Sequence, residues 1–266
     1  MVDLDRLAPT RRPDRRPIGY HRWHSLTFIH WRISPDLLAP QLPEGVEVDT
    51  FDGSAWIGLV PFHMTGVRPW WSPSIPGIST FHETNVRTYV HCKGVPGVWF
   101  FSLDAANRLA VWIARTRWGL PYHHARMQVR RDGSRIRYES RRTFRVARDA
   151  TVGPGVPGAG VDLEIAFDEV VASQGVDEHG HARPGTLEHF LAERYVLFVS
   201  GQGRAAEVLS CQVHHAPYPL QPARWVRGEQ SLVRAAGFEI DGPPDHVAFT
   251  EGVSVEIYGL QRAGQG

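Results

Sequence analysis

Glycine and proline punctuate this chain from end to end, 26 and 20 of them in 266 residues. Proline lacks a backbone N–H and clashes with the preceding helical turn, while glycine gives up the most backbone entropy on ordering. A chain interrupted this often favours short strands and turns over a helical bundle. Between the interruptions lie runs rich in β-branched and aromatic residues, such as SLTFIHW (25–31) and VWFFSL (98–103). The pattern predicts many short strands joined by turns, with a core large enough for one domain.

The turn chemistry can be followed along the chain. Residues 1–20 are polar and rich in Arg and Pro, and read as a loosely attached arm before a single domain over 21–262. Ser34 and Pro35 supply an N-cap and a first helical residue for a short helix ending before Pro43 and Gly45. Residues 46–64 read as a hairpin turning at Asp52-Gly53, and 125–144 as a second one turning at an Asp-Gly pair. RPWWSPSIPG (68–77) is too proline-rich for a sheet and reads as a flap or partner surface. In TFHETNVRTYVHC (80–92) strand alternation puts Glu83 and Arg87 on one side. AANRLAVWIARTRWG (105–119) is the best helix, stopped by Gly119, and GPGVPGAG (153–160) is the clearest flexible stretch. A helix running into a strand is expected over 185–200, a strand and a proline corner over 204–225, and a closing β segment over 243–260.

Charge excludes several classes of function. The net charge of +1 offers no strong field for nucleic acid or an anionic membrane, and no run of 18 apolar residues exists to span one. Cys92 and Cys211 stand far apart without metal spacing, which suits a reducing cytoplasm. Lys93 is the single lysine, so imine chemistry has one side-chain amine to draw on.

No Walker loop, dinucleotide fingerprint, nucleophile elbow or zincin helix is present. Histidines cluster at 21–24, 123–124, 179–181 and 214–215, but neighbours in a strand point to opposite faces and seldom hold one ion. No metal and no cofactor is expected. ERY (193–195) and HHAPYPL (214–220) mix ionisable and aromatic groups at element ends, and read equally well as functional groups or as a helix-end charge pair and a proline corner.

Taken together, HWRISPDLLAPQLPEGVEVDTFDGSAWIGLVPF, FHETNVRTYV, GVWFFSLDA, GLPYHHARM, GTLEHFLAERYVLF, HHAPYPLQ and EGVSVEIYG resemble the DUF2071/YqjF family, over most of residues 20–260. This family, of unassigned function, lies within the acetoacetate decarboxylase-like superfamily. The resemblance implies a mainly β fold, an antiparallel cone-shaped β-barrel with about three short helices around a small apolar-walled site. In the decarboxylases that site carries an arginine, a glutamate and two lysines. Arg32 matches the arginine before the short helix, and Glu83 matches the glutamate. Tyr122 and His123, after Gly119-Leu120-Pro121, stand where the lysine pair would be. A phenol and an imidazole form no Schiff base with a ketone, so the imine route is lost.

What the resemblance leaves is a cofactor-free acid–base enzyme for a small carbonyl or keto acid, of lyase, dehydratase, isomerase or hydrolase type. Arg32, Glu83, Tyr122 and His123 are its expected catalytic groups, and Arg87, His124 and Trp99 its expected substrate-binding neighbours. Two alternatives stand beside it. One is a non-catalytic barrel holding an aromatic or quinone-like ligand against Trp70, Trp71, Trp99 and Tyr122. The other is a buried ion-pair network of Arg32, Glu83 and Arg87 that fixes the barrel. A homo-oligomer is permitted by the flap and the sheet edges, and no nucleic-acid or membrane partner is expected.

Overall fold

Turn residues bend the chain as their chemistry requires. Asp52 and Gly53 both take positive φ (48° and 74°), and Phe51 and Ser54 exchange both backbone hydrogen bonds at 3.0 Å. Lys93 and Gly94 (φ 51° and 79°) and Gly133 (φ 56°) make two further tight turns. The computed structural model describes residues 4–143, 156–167, 175–200 and 207–264. Residues 153–155 of the glycine-rich stretch lie outside these.

The turns separate strands β1 (Gly19–Ile33), β2 (Glu47–Val48), β3 (Ala55–Pro69), β4 (Phe81–Cys92), β5 (Val95–Ala105), β6 (Tyr122–Asp132) and β7 (Arg135–Arg142). There follow β8 (Gly160–Phe167), β9 (Val196–Ser200), β10 (Val208–His214), β11 (Gln221–Gln230), β12 (His246–Ile257) and β13 (Gln261–Arg262). Among the described residues four α-helices interrupt them: α1 (Pro35–Leu38), α2 (Arg108–Trp118), α3 (Leu187–Ala192) and α4 (Leu232–Ala235). Ser34 caps α1 by accepting from Asp36 N, and Asn107 caps α2 by accepting from Leu109 N and Ala110 N. Gly119 ends α2 in the left-handed region.

One expectation is corrected. The 46–64 hairpin reduces to its turn, because β2 pairs antiparallel with β4 (Glu47↔His91) and not with β3. The bond from Asp49 N to Tyr89 O continues that alignment.

The strands form one 13-stranded sheet that closes on itself. The order β12–β1–β3–β4–β5 makes a wall with two uses. On one side β6, β7, β8 and β11 complete a ring, through β5–β6 and β11–β12 pairing. On the other, β9 and β10 bridge from β5 back to β12. Strand alternation sends successive side chains to opposite compartments. Ile57, Leu59 and Val86 enter a core with Ile136, Leu163, Ile165 and Phe249. Phe28, Val60 and Phe62 enter a second core with Val111 of α2, Ala192 of α3 and Tyr218. Full burial of each such aliphatic or aromatic side chain contributes about 1.5–3 kcal/mol. The second compartment is the one that gathers ionisable groups.

The N-terminal residues run along the outside of this sheet. Arg6 joins Asp49, Arg12 reaches Glu256 at 2.8 Å, and Gln212 Nε2 donates to Pro9 O at 3.1 Å.

Candidate active site

On β4 the face turned to the second compartment reads Glu83, Asn85, Arg87, Tyr89, since these residues sit opposite Phe62, Val60 and Gly58 of β3 without a register shift. Glu83 is 3% exposed. Its Oε2 accepts from Tyr122 Oη at 2.8 Å. Burial pushes the Glu83 carboxyl up to about 8; the Tyr122 bond pulls it down and Asp104 nearby raises it further. Burial, with Glu83 beside it, also raises the Tyr122 phenol. Glu83 therefore holds its proton at neutral pH.

Tyr122 reaches Glu83 because Gly119 and Pro121 stop the helix and start β6 parallel to β5, with Leu103↔Tyr122 and Asp104↔His123 as partners. The same alternation carries His123 to the opposite face of the sheet. There Asp104 accepts from Arg142 Nε and Nη2 at 2.7–3.0 Å, in a fully buried ion pair. Burial, with Arg142 and Arg115 adding to it, depresses the His123 imidazole to about 3, so the ring is neutral. The structure thus separates Tyr122 from His123, although both were expected to face Glu83. His124 returns to the Tyr122 side, half-buried, with Nδ1 2.8 Å from Thr143 Oγ1.

Arg32 is not brought to Glu83 either. It is exposed at the end of β1, its guanidinium 4.9 Å from the Trp56 ring centroid and its backbone N–H bonded to Asp245. Trp99 is half-buried and packs against a core of Val90, Cys92 and Phe198. Trp70 and Trp71 are exposed on the loop after β3. Nor do Arg32, Glu83 and Arg87 form an ion-pair network, since Glu83 is bonded to Tyr122. Lys93 is exposed in the β4–β5 turn, away from the second compartment.

Arg87 is the guanidinium that enters the compartment. Its Nη2 donates to Leu191 O (3.0 Å) and Tyr89 Oη (3.2 Å), and its plane lies near Phe28 and Tyr89. Tyr89 Oη gives its proton to Leu191 O at 2.8 Å and so accepts from His30 Nε2 at 2.6 Å. That assigns the His30 tautomer and makes its Nδ1 the acceptor of the 3.0 Å bond from His246. Burial holds His30 well below its ordinary range and His246 at about 4.

ERY and HHAPYPL, singled out in the sequence, meet here. Glu193 accepts from Tyr195 Oη (2.6 Å) and from Tyr218 N (3.0 Å), and His215 stacks on Tyr195 with centroids 4.4 Å apart. His215 Nδ1 donates to Ala216 O at 2.8 Å, which leaves Nε2 as a buried acceptor. Burial takes His215 to about 4, and the positive charge of Arg87 contributes. Among the described residues, His215 Nε2, Arg87 Nε and Asn85 Oδ1 find no hydrogen-bond partner. Buried polar atoms are seldom left so, and a group that can both accept and donate would satisfy them. His30 and Tyr89 carried no positional signal in the sequence. His215 did, as part of HHAPYPL, and so did ERY, but nothing in one chain says that the two motifs touch.

A family model described as an uncharacterized conserved protein, DUF2071, matches residues 20–254. YqjF of Bacillus subtilis (strain 168), a protein described as uncharacterized, is 36% identical over 211 residues, covering 79% of this chain and 78% of its own. The enduracididine biosynthesis enzyme MppR, in complex with pyruvate, superposes with a TM-score of 0.60 at 12% identity, over 96% of this chain and 93% of that one. An acetoacetate decarboxylase from Legionella pneumophila gives 0.58 at 14% identity, over 96% and 92%. At such identities these two structures share the fold and no more. With the family model spanning most of its length, the chain belongs to the DUF2071 family, built on the acetoacetate decarboxylase-like fold.

Proposed function

We propose that the second compartment is the active site of a cofactor-independent enzyme that moves protons on a small carbonyl, keto or enol acid. The observation that carries this reading is Glu83: a buried carboxyl bonded to Tyr122, which burial pushes up to about 8. Near pH 7 such a group can give a proton to a substrate oxygen or carbon and take it back, which an ordinary carboxylate does poorly. Tyr122 holds Glu83 in place by donating its single phenolic proton to Oε2. Arg87, expected from the sequence as a substrate-binding neighbour, takes the anion-binding role, with its Nε–H available to a carboxylate. His215 Nε2 is available to accept from a hydroxyl or enol. Arg32 and His123 are left out, the first by exposure and the second by facing Asp104–Arg142. That MppR is described with pyruvate bound agrees in substrate size and charge.

The test is proton exchange. Pyruvate, acetoacetate and related keto acids would be incubated with the protein in D2O and followed by proton NMR. Deuterium should enter next to the carbonyl faster than buffer allows. Glu83→Gln should remove at least the 10²-fold typical of a general acid–base group. Arg87→Gln should mainly raise KM. If such acids bind but neither exchange nor turnover is ever seen, the compartment is a ligand-holding barrel and the enzyme reading fails.

A further inference from the structure

The loop between β3 and β4 and helix α2 lie side by side, because Asn107 Nδ2, at the cap of α2, donates to Ile78 O at 2.8 Å. The loop exposes Trp70, Trp71, Ile75 and Ile78, with Trp71 at 71%. On α2 the exposed positions are 108, 109, 112, 113, 116 and 117, which form one stripe at helical spacing. Its middle is Leu109, Trp112 and Ile113, with Trp112 at 61%, and its two ends are Arg108 and Arg117. A stripe of this kind gains nothing from water. Isolated exposed apolar residues need no explanation, but a group that includes three tryptophans does.

Charge narrows what covers it. No Asp or Glu occurs in residues 15–35, 53–82 or 105–131, which include the loop, α2 and the strand ends beside them. Arg16, 3.3 Å above the Trp70 ring, is exposed, as are Arg108 and Arg117. The chain's net charge of +1 averages over this separation of sign. A second copy meeting the same face would set arginines against arginines in an isologous contact. An anionic bilayer meets both halves of the pattern, with indoles at the headgroup level and arginines against phosphates.

We propose that α2 and the Trp70–Ile78 loop form a docking face for the surface of an anionic lipid bilayer. Contact is peripheral, since no helix among the described residues is long and apolar enough to cross a membrane. Helix α2 ends at Gly119, three residues before Tyr122, so the face adjoins the element that carries the Glu83 partner. The proposal does not depend on the activity of that site.

The full-length protein would be sedimented with vesicles of phosphatidylcholine alone and of phosphatidylcholine mixed with phosphatidylglycerol. It should pellet with the mixed vesicles, far less with the neutral ones, and be released by added salt. Arg108→Gln and Arg117→Gln should each weaken binding roughly fivefold. Trp71→Ser and Trp112→Ser should weaken it by a comparable factor or more. Quenching of wild-type tryptophan fluorescence by brominated lipid gives a readout that needs no variant, and is expected with mixed vesicles. Failure to pellet with either vesicle overturns the proposal, as does binding that ignores salt and the arginine substitutions. A concentration-dependent dimer that Trp112→Ser dissolves also overturns it, by giving the face to a second copy.

Discussion

Gly58 shows how little space the site leaves. A Cβ there would meet the His30 ring at 2.9–3.0 Å and Arg87 Cγ at 3.4 Å. Its neighbours are part of the bonded chain from His246 through His30 and Tyr89 to Arg87, so they have little room to give. Gly58→Ala should cost about 1–3 kcal/mol in urea unfolding. It should also displace Arg87 and weaken keto-acid binding more than it slows chemistry. At Lys93 the expectation is negative. Borohydride trapping with acetoacetate should leave no adduct, because this lysine is exposed in a turn outside the compartment. A stoichiometric mass increase there would restore the imine route.

Elements bounded by local chemistry were legible in the sequence. Asp52-Gly53, Ser34-Pro35 and Gly119 bend, start or stop the chain within a few residues, so their effects are written where they act. The same holds for Glu83 and Arg87, whose shared face follows from period-two alternation. Alternation should also have separated Tyr122 from His123, and the matched positions of a lysine pair obscured this. Pairing between distant strands was not legible. Nothing near Asp104 announces Arg142, and nothing in ERY announces HHAPYPL. The Asp104–Arg142 pair joins β5 to β7 in full burial, so Asp104→Asn leaves an uncompensated guanidinium and should cost about 3–5 kcal/mol in chemical denaturation. A neutral result would mean that the pair is solvated in solution.

For the whole molecule, buried titratable groups set how stability varies with pH. Glu83 has a folded pKa near 8 against an ordinary 4.5, so its contribution is complete below about 4.5 and is lost as pH rises towards 8. His21, His82, His215 and His246 have the opposite effect. Their folded values near 4 lie below the ordinary 6.5, so stability present above 6.5 is lost as pH falls through 4. With four histidines set against one glutamate, stability should therefore peak at about pH 7. Thermal unfolding across the range should show decline on both sides, and Glu83→Gln should remove the alkaline decline and steepen the rise between about pH 4.5 and 7. A wild-type curve that keeps rising to pH 8 would contradict this balance.

The proton on Glu83 is the point on which the catalytic reading turns. Carbon-13 NMR of protein labelled at glutamate carboxyls, with Glu83→Gln identifying the resonance, follows that proton directly. The expected result is a single carboxyl that stays protonated through neutrality and titrates near pH 8. A Glu83 resonance that has already ionised by pH 5, within the usual carboxylate range, would contradict it.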